Sequence, residues 1–338
     1  MKFVLGVDGG GSTTRVALVD EAGRVLGAGS SGPSNFHDIG LAATQRNIAE
    51  AVGQAWRQAA LPERRCQAVF LGMAGVVSPT DRRDIAQLAA QLDLAPASLI
   101  GVDHDIRIAL AGGLAGEEGI ALIIGTGSSS YGRRHDGRDW RAGGWGHLLD
   151  DAGSAVFLGL QAMIAVVRAG DGRGRSTRLS ESLMNALGLA DLQDIMRALY
   201  HEQMSRARIA ALAPIVVNAA AEGDAVARDI IARGTDELAR MVEVVARQLE
   251  FVPGVVRVTV SGGVAENSGP AYRGPLEAAI LRRVPTAILQ PPRLQPVLGA
   301  ALLALEACGI ANQPALTDRL AESSREQTPV GAAVQAPP

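Results

Sequence analysis

The chain has 338 residues, 47% of them hydrophobic, and 32 basic against 35 acidic side chains leave a formal charge of -3. A chain of this size can bury a large core and should divide into two domains. Near-balanced, interspersed charge excludes the electrostatic footprint of a nucleic-acid or anionic-membrane binder, so the expected partner is small.

The opening "MKFVLGVD" has one basic residue and an apolar run stopped by Asp8, too short for a signal-peptide core. No later stretch approaches ~18 uninterrupted apolar residues, and a soluble cytoplasmic protein is expected. "KFVLGV" (2–7), "TTRVALV" (13–19) and "RVLGAG" (24–29) read as three strands separated by the turns "DGGG" and "DEAG". A helix with apolar residues at helical spacing follows over about 41–60. Cys66 then precedes the buried strand "AVFLGMAG", a helix after "SPTDRRD" and the strand "SLIGVD". Cys66 and Cys308 lie far apart without metal-ligand spacing and read as reduced structural thiols.

The second half repeats the plan. "GIALII", "SSYGRR" and a strand running toward Ala142 are separated by "GTGS" and "HDGR"; after a helical insert over about 151–251, "VVRVTVSGG" mirrors "AVFLGMAG". "TAILQP" and "QPVLGAALLALEACG" supply the last strand and helix. Two copies of a βββαβα unit imply an α/β protein of two similar domains around a central cleft. We expect an N-terminal domain over 1–117 completed by the helix at about 296–309, a C-terminal domain over 118–295, and a disordered tail over 312–338.

Glycines in "GVDGGGSTTR" (6–15) let the backbone turn tightly and present successive N–H groups to an anion, most naturally a phosphate. A dinucleotide fingerprint does not fit, because a second strand rather than a helix follows, and the chain lacks GxxxxGK[ST]. An ordinary glycine hairpin is the plain alternative. The equivalent turn "GTGSSS" (125–130) favours a pair of phosphate-gripping hairpins, which suits a triphosphate.

"DGGGST", "GTGS", "GGWGHLLDDAGSA" and "SGGVAEN" together resemble the sugar kinase, Hsp70 and actin superfamily, with its two RNase H-like (actin-like ATPase) domains. Within it they are similar to the N-acetylglucosamine kinase group of the BadF/BadG/BcrA/BcrD ATPase family. The resemblance covers nearly all of the chain up to about Cys308. It implies an ATP- and Mg²⁺-dependent kinase that phosphorylates an amino sugar, N-acetylglucosamine or glucosamine, at the 6-hydroxyl.

Phosphoryl transfer needs positioning, charge neutralisation and a base for the hydroxyl proton. Asp8 is the expected Mg²⁺ carboxylate, with a turn aspartate as the alternative. Gly10, Gly11, Ser12, Thr13 and Thr14 offer donors to the phosphates, at least one of them serving only as a strand residue. Gly125, Thr126 and Gly127 do the same in the second hairpin. Among Asp103 and Asp105, the spacing to Ala109 and Leu110 resembles the family's catalytic aspartate and selects Asp105 as base and substrate contact; helix N-capping is its alternative role. Asn35 resembles the family asparagine that binds a hexosamine. Trp145, Gly146 and Asp151 offer a planar indole and a carboxylate to the sugar, against a core tryptophan as the alternative. Asp150, Asp151, Ala152, Gly153 and Ser154 stand where the family commonly reads Gly-Asp-Glu-Gly-Ser, which leaves the acceptor open. Gly262, Gly263 and Asn267 match the adenosine segment. "GDGRGRSTRL" (170–179) is a basic loop, a lid or a solvated surface.

An ATPase driving a partner redox enzyme through a shared iron–sulfur cluster is the alternative, and it would need paired cysteines near an interface. A sugar-sensing regulator would need a DNA-binding module, and no helix-turn-helix precedes the first strand. The expected partner is an amino sugar, with no nucleic acid and no membrane; a homodimer stays open.

Overall fold

The computed structural model describes residues 2–61, 65–201 and 203–327. They form two compact units, 1–117 with 292–338, and 118–291. The first opens with β1 (Phe3–Gly9), β2 (Thr14–Asp20) and β3 (Val25–Ser31), then α1 (Phe36–Ile39), α2 (Leu41–Ala59), β4 (Ala68–Met73), α3 (Pro79–Gln91), β5 (Ile100–His104) and α4 (Asp105–Gly113). The second runs through β6 (Gly119–Ile124), β7 (Ser128–Arg133) and β8 (Asp139–Gly143) into α5 (Ala155–Gly170), α6 (Leu179–Leu187), α7 (Asp194–Met196), α8 (Arg206–Ala210), α9 (Ala213–Ala221) and α10 (Ala225–Gln248). It ends with β9 (Val256–Ser261), α11 (Gly263–Asn267), α12 (Gly269–Arg283) and β10 (Ala287–Gln290), after which α13 (Pro296–Ala307) and α14 (Pro314–Gln327) belong to the first unit.

The two sheets share one topology, β3-β2-β1-β4-β5 and β8-β7-β6-β9-β10. In each, an antiparallel meander is extended by two parallel strands. The α/β fold with a repeated plan is therefore present.

β1 is apolar almost throughout because both its faces are covered. Phe3, Leu5 and Val7 join Ile48 and Trp56 of α2, whereas Val4 joins Val297, Ala301 and Leu305 of α13. Gly6 makes room for α13: a Cβ there would lie 2.5 Å from the Ala301 amide nitrogen. In the second unit Ile120, Leu122 and Ile124 pack with Val242 and Val245 of α10 and with Tyr272 and Ile280 of α12. No single helix among the described residues is long and apolar enough to cross a membrane.

One expectation is corrected. The segment from 312 was read as disordered, yet Pro314–Gln327 is α14, and Thr317, Leu320 and Ser323 are buried along one side of it. Leu320 is fully buried in the cluster around α13, and Ser323 Oγ accepts from Val25 N at 3.0 Å. A segment of Ala, Ser, Gln and charged residues holds only Leu316 and Leu320 as apolar anchors, too few to register as a helical period. Leu320→Ala is expected to cost about 2–4 kcal/mol, seen as a lower denaturant midpoint at unchanged slope. Residues 328–338 of the expected tail lie outside the described residues.

Candidate active site

The β1–β2 hairpin closes through Gly10 N donating to Thr13 O at 3.0 Å, and Gly10 O accepts from Ser34 N at 3.0 Å. Among the described residues nothing accepts from the N–H groups of Gly11, Ser12 or Thr13, and Gly11 and Ser12 are exposed. They form a free donor set of the kind an anion fills. Thr14 differs: it is fully buried, and its N–H and hydroxyl both donate to Gly32 O, at 3.0 and 2.7 Å. Thr14 therefore ties β2 to the end of β3 and presents no hydroxyl to a ligand.

Asp8 stands opposite Arg15 in the β1–β2 register, with its carboxylate 15% exposed and 3.8 Å from the guanidinium. Burial first, and then repulsion from Asp105, push Asp8 up to about 6 against a partial counter-pull from Arg15. Asp105 thus lies near enough to oppose the ionisation of Asp8. Asp105 opens α4, and its Oδ1 accepts from Ile106 N at 2.9 Å. The helix cap is His104, whose Nδ1 accepts from Arg107 N at 3.1 Å. Asp103 is occupied elsewhere, accepting from Arg82 Nη2 at 2.7 Å and His104 N at 2.9 Å. Burial would raise its pKa, but His104 and Arg82 hold it below the ordinary carboxylate value.

Asn35 caps α1: its Oδ1 accepts from His37 N at 3.3 Å and its Nδ2 donates to Asp38 at 2.7 Å. His37 Nε2 is 3.1 Å from Gly75 O, which ties this turn to the end of β4.

In the second unit the β6–β7 turn closes with Gly125 N donating to Gly127 O at 2.9 Å. The carbonyls of Gly125 and Thr126 accept from Ala155 N and Val156 N at the start of α5. The N–H groups of Thr126 and Gly127 are left without an acceptor among the described residues, as in the first hairpin. Asp151, only 3% exposed and in the left-handed region at φ 61°, accepts from Ser128 N at 3.2 Å. Its other oxygen pairs with Arg206 of α8 at 3.4 Å. Asp151 is thus an internal brace for this hairpin. Arg206 was absent from the sequence reading, since it lies 55 positions away in a short helix and no spacing rule links the two. Asp150, beside it, is pushed up by burial.

Trp145 is 73% exposed, with Leu148 and Leu149 at 87% and 81%. The core-tryptophan alternative is removed. Gly146, at φ 86°, turns this loop, and its carbonyl accepts from Leu149 N and Asp150 N.

At the end of β9, Gly262 takes φ 103°, and a Cβ there would lie 2.6 Å from Ile124 O. Gly262→Ala should therefore destabilise the chain by at least about 2 kcal/mol, measured by chemical denaturation. Glu266 Oε1 accepts from Gly262 N at 3.1 Å, and Asn267 Nδ2 donates to Gly263 O at 2.8 Å, so the Asn267 amide nitrogen serves α11 itself. Among the described residues no three His, Cys, Asp or Glu side chains form a preformed metal cage.

Asp8, Asp105, the free donors at Gly11 to Thr13, and Asn35 belong to the first unit; Thr126, Gly127, Trp145, Asp151 and Gly262 belong to the second. A paired carboxylate beside free N–H donors can hold a cation, receive a proton and bind phosphate oxygens.

Residues 5–304 match the model of the BadF/BadG/BcrA/BcrD ATPase family. The N-acetylmuramic acid/N-acetylglucosamine kinase of Clostridium acetobutylicum is 33% identical over 80% of this chain and 88% of its own. The N-acetyl-D-glucosamine kinase of Dictyostelium discoideum is 29% identical over 90% of this chain and 98% of its own. The crystal structure of a candidate N-acetylglucosamine kinase from Chromobacterium violaceum superposes with a TM-score of 0.73 at 28% identity, covering 90% of this chain and 99% of that one.

Proposed function

The chain belongs to the BadF/BadG/BcrA/BcrD ATPase family, and on that premise we propose that it is an ATP-dependent kinase of an amino sugar, N-acetylglucosamine or glucosamine, acting at the 6-hydroxyl. The observation that carries this reading is the Asp8–Asp105 pair next to a hairpin with free N–H donors. The two relatives named as amino-sugar kinases support the acceptor class.

In this reading Asp105 takes the proton from the acceptor hydroxyl. Capping by His104 matters here, because it leaves Asp105 with one backbone partner and a second oxygen that accepts no hydrogen bond among the described residues. Gly11, Ser12 and Thr13 in one hairpin, and Thr126 and Gly127 in the other, would donate to phosphate oxygens. Gly262 and Gly263 would let the backbone pass close to the adenosine, and Asn35, Trp145 and Gly146 would contact the sugar. We assign Asp151 to bracing the second hairpin; a direct sugar contact would need its carboxylate to leave Ser128 and Arg206.

The residues present fit Mg²⁺. A half-buried pair of carboxylates, with no cage of further ligands among the described residues, suits an ion that keeps several waters and takes one or two carboxylates. Asp8 would hold it, directly or through water, and when bound it would neutralise charge on the phosphates.

Phosphorus NMR of the product tests the regiochemistry. A phosphate coupled to the C6 protons, with no turnover of the 6-deoxy sugar, is expected. A 1-phosphate, or consumption of the 6-deoxy sugar, would contradict the assignment.

A further inference from the structure

The basic segment of 170–179 is an ordered wall of a pocket. Asp171 N, Gly172 N and Gly174 N donate back to Val167 O, Ala169 O and Arg168 O, folding the loop onto the end of α5. The pocket, of about 410 Å³, lies within the second unit between α5, this loop and α10. Gln161, Ile164, Ala165 and Arg168 reach it from α5 at i, i+3, i+4 and i+7, and Val226, Asp229, Ile230 and Arg233 reach it from α10 with the same spacing. Its lining combines apolar and cationic side chains.

Four arginines and one carboxylate line it, in a chain of net charge -3. Two of the arginines are used by the protein: Arg173 donates from Nε and Nη2 to one Asp171 oxygen, and Arg175 pairs with Asp229. The other two are bonded to no carboxylate among the described residues. Arg233 donates to the neutral Gln161 amide at 3.1 Å, and Arg168 makes no side-chain hydrogen bond, its carboxylate neighbour Asp171 being already taken by Arg173. Two guanidiniums that no carboxylate hydrogen-bonds match the charge of a phosphate monoester, which is near -2 and accepts paired N–H donors. The volume exceeds a bare phosphate, and the apolar surface of Ile164, Val226 and Ile230 in the lining suits an attached organic group.

We propose that this pocket is a second ligand site, separate from the candidate active site, that binds a small organic phosphate monoester through Arg168 and Arg233. Its residues stand apart from every one assigned to phosphoryl transfer, so the site holds or falls independently of the kinase reading.

Hydrogen exchange on the full chain tests it, with N-acetylglucosamine 6-phosphate as the probe and N-acetylglucosamine or inorganic phosphate as controls. The sugar phosphate is expected to slow exchange in peptides covering 161–175 and 226–233, the unphosphorylated sugar to leave them unchanged, and inorganic phosphate to require much higher concentration. Arg168→Ala with Arg233→Ala should raise the half-protection concentration about tenfold or more. Arg168→Ala alone removes no side-chain hydrogen bond and only an exposed attraction to Asp171, and should act in the same direction with little change in melting temperature. Unprotected peptides, equal protection by inorganic phosphate, or protection unaltered in both variants would overturn the proposal.

Discussion

Asp105→Asn is expected to lower kcat by about 10²–10⁴ while nucleotide affinity stays near that of the parent. The amide keeps the size and the acceptor oxygen that receives Ile106 N, so α4 should begin at the same place. Its cap is His104, not Asp105, and the substitution removes no capping interaction. What is lost is a group that can take a proton. A kcat fall with little change in the ATP KM, and a melting temperature within a degree or two, separates this from a folding defect. Turnover within a few-fold of the parent would remove Asp105 from the role of base.

Asp8→Asn is expected to abolish Mg²⁺-dependent turnover and at the same time stabilise the ligand-free chain. The carboxyl titrates at about 6 in the fold, against an ordinary value of 3.8, through burial first and Asp105 second. Between those values the folded chain keeps a proton that the unfolded chain releases, so stability falls as pH rises through that window. Above it, the ionised carboxylate costs on the order of 3 kcal/mol, from the two-unit shift at about 1.4 kcal/mol per unit. The asparagine removes that cost, and the loss of the Arg15 pairing offsets little because that guanidinium is 58% exposed. Urea unfolding should show the variant more stable by roughly 1–3 kcal/mol at neutral pH, with the difference vanishing near pH 4 and below. A variant that is destabilised at neutral pH would mean that Asp8 is a structural turn residue.

The inner strands β1, β4, β6 and β9 were legible because each is short, largely apolar and bounded by glycine or a charged turn. β1 and β6 stand at the centre of their sheets, where both faces are buried and the apolar run is unbroken. Asp8 stands out for a related reason, as a carboxylate ending an apolar strand, whereas Asp105, which opens α4 after the edge strand β5, is singled out only by the family resemblance. The Asp151–Arg206 brace was not legible, because a contact between residues 55 apart leaves no local signal. Neither was α14, whose few buried positions depend on a surface that β3 and α13 together provide. A histidine between two aspartates carries no capping signal of its own, and only the backbone angles at the start of α4 identify His104 as the cap. Thr14 and Ser12 look alike in sequence, but the register that places Thr14 opposite Gly9 buries one and exposes the other.

A coupled ADP-release assay with Mg-ATP is the most direct measurement of the central claim. The acceptors are glucosamine, N-acetylglucosamine, N-acetylmannosamine, N-acetylmuramic acid, glucose and no sugar. Strong stimulation by an amino sugar over the sugar-free rate, with glucose much weaker, is the predicted result. ADP release that is the same with and without every sugar would contradict an amino-sugar kinase.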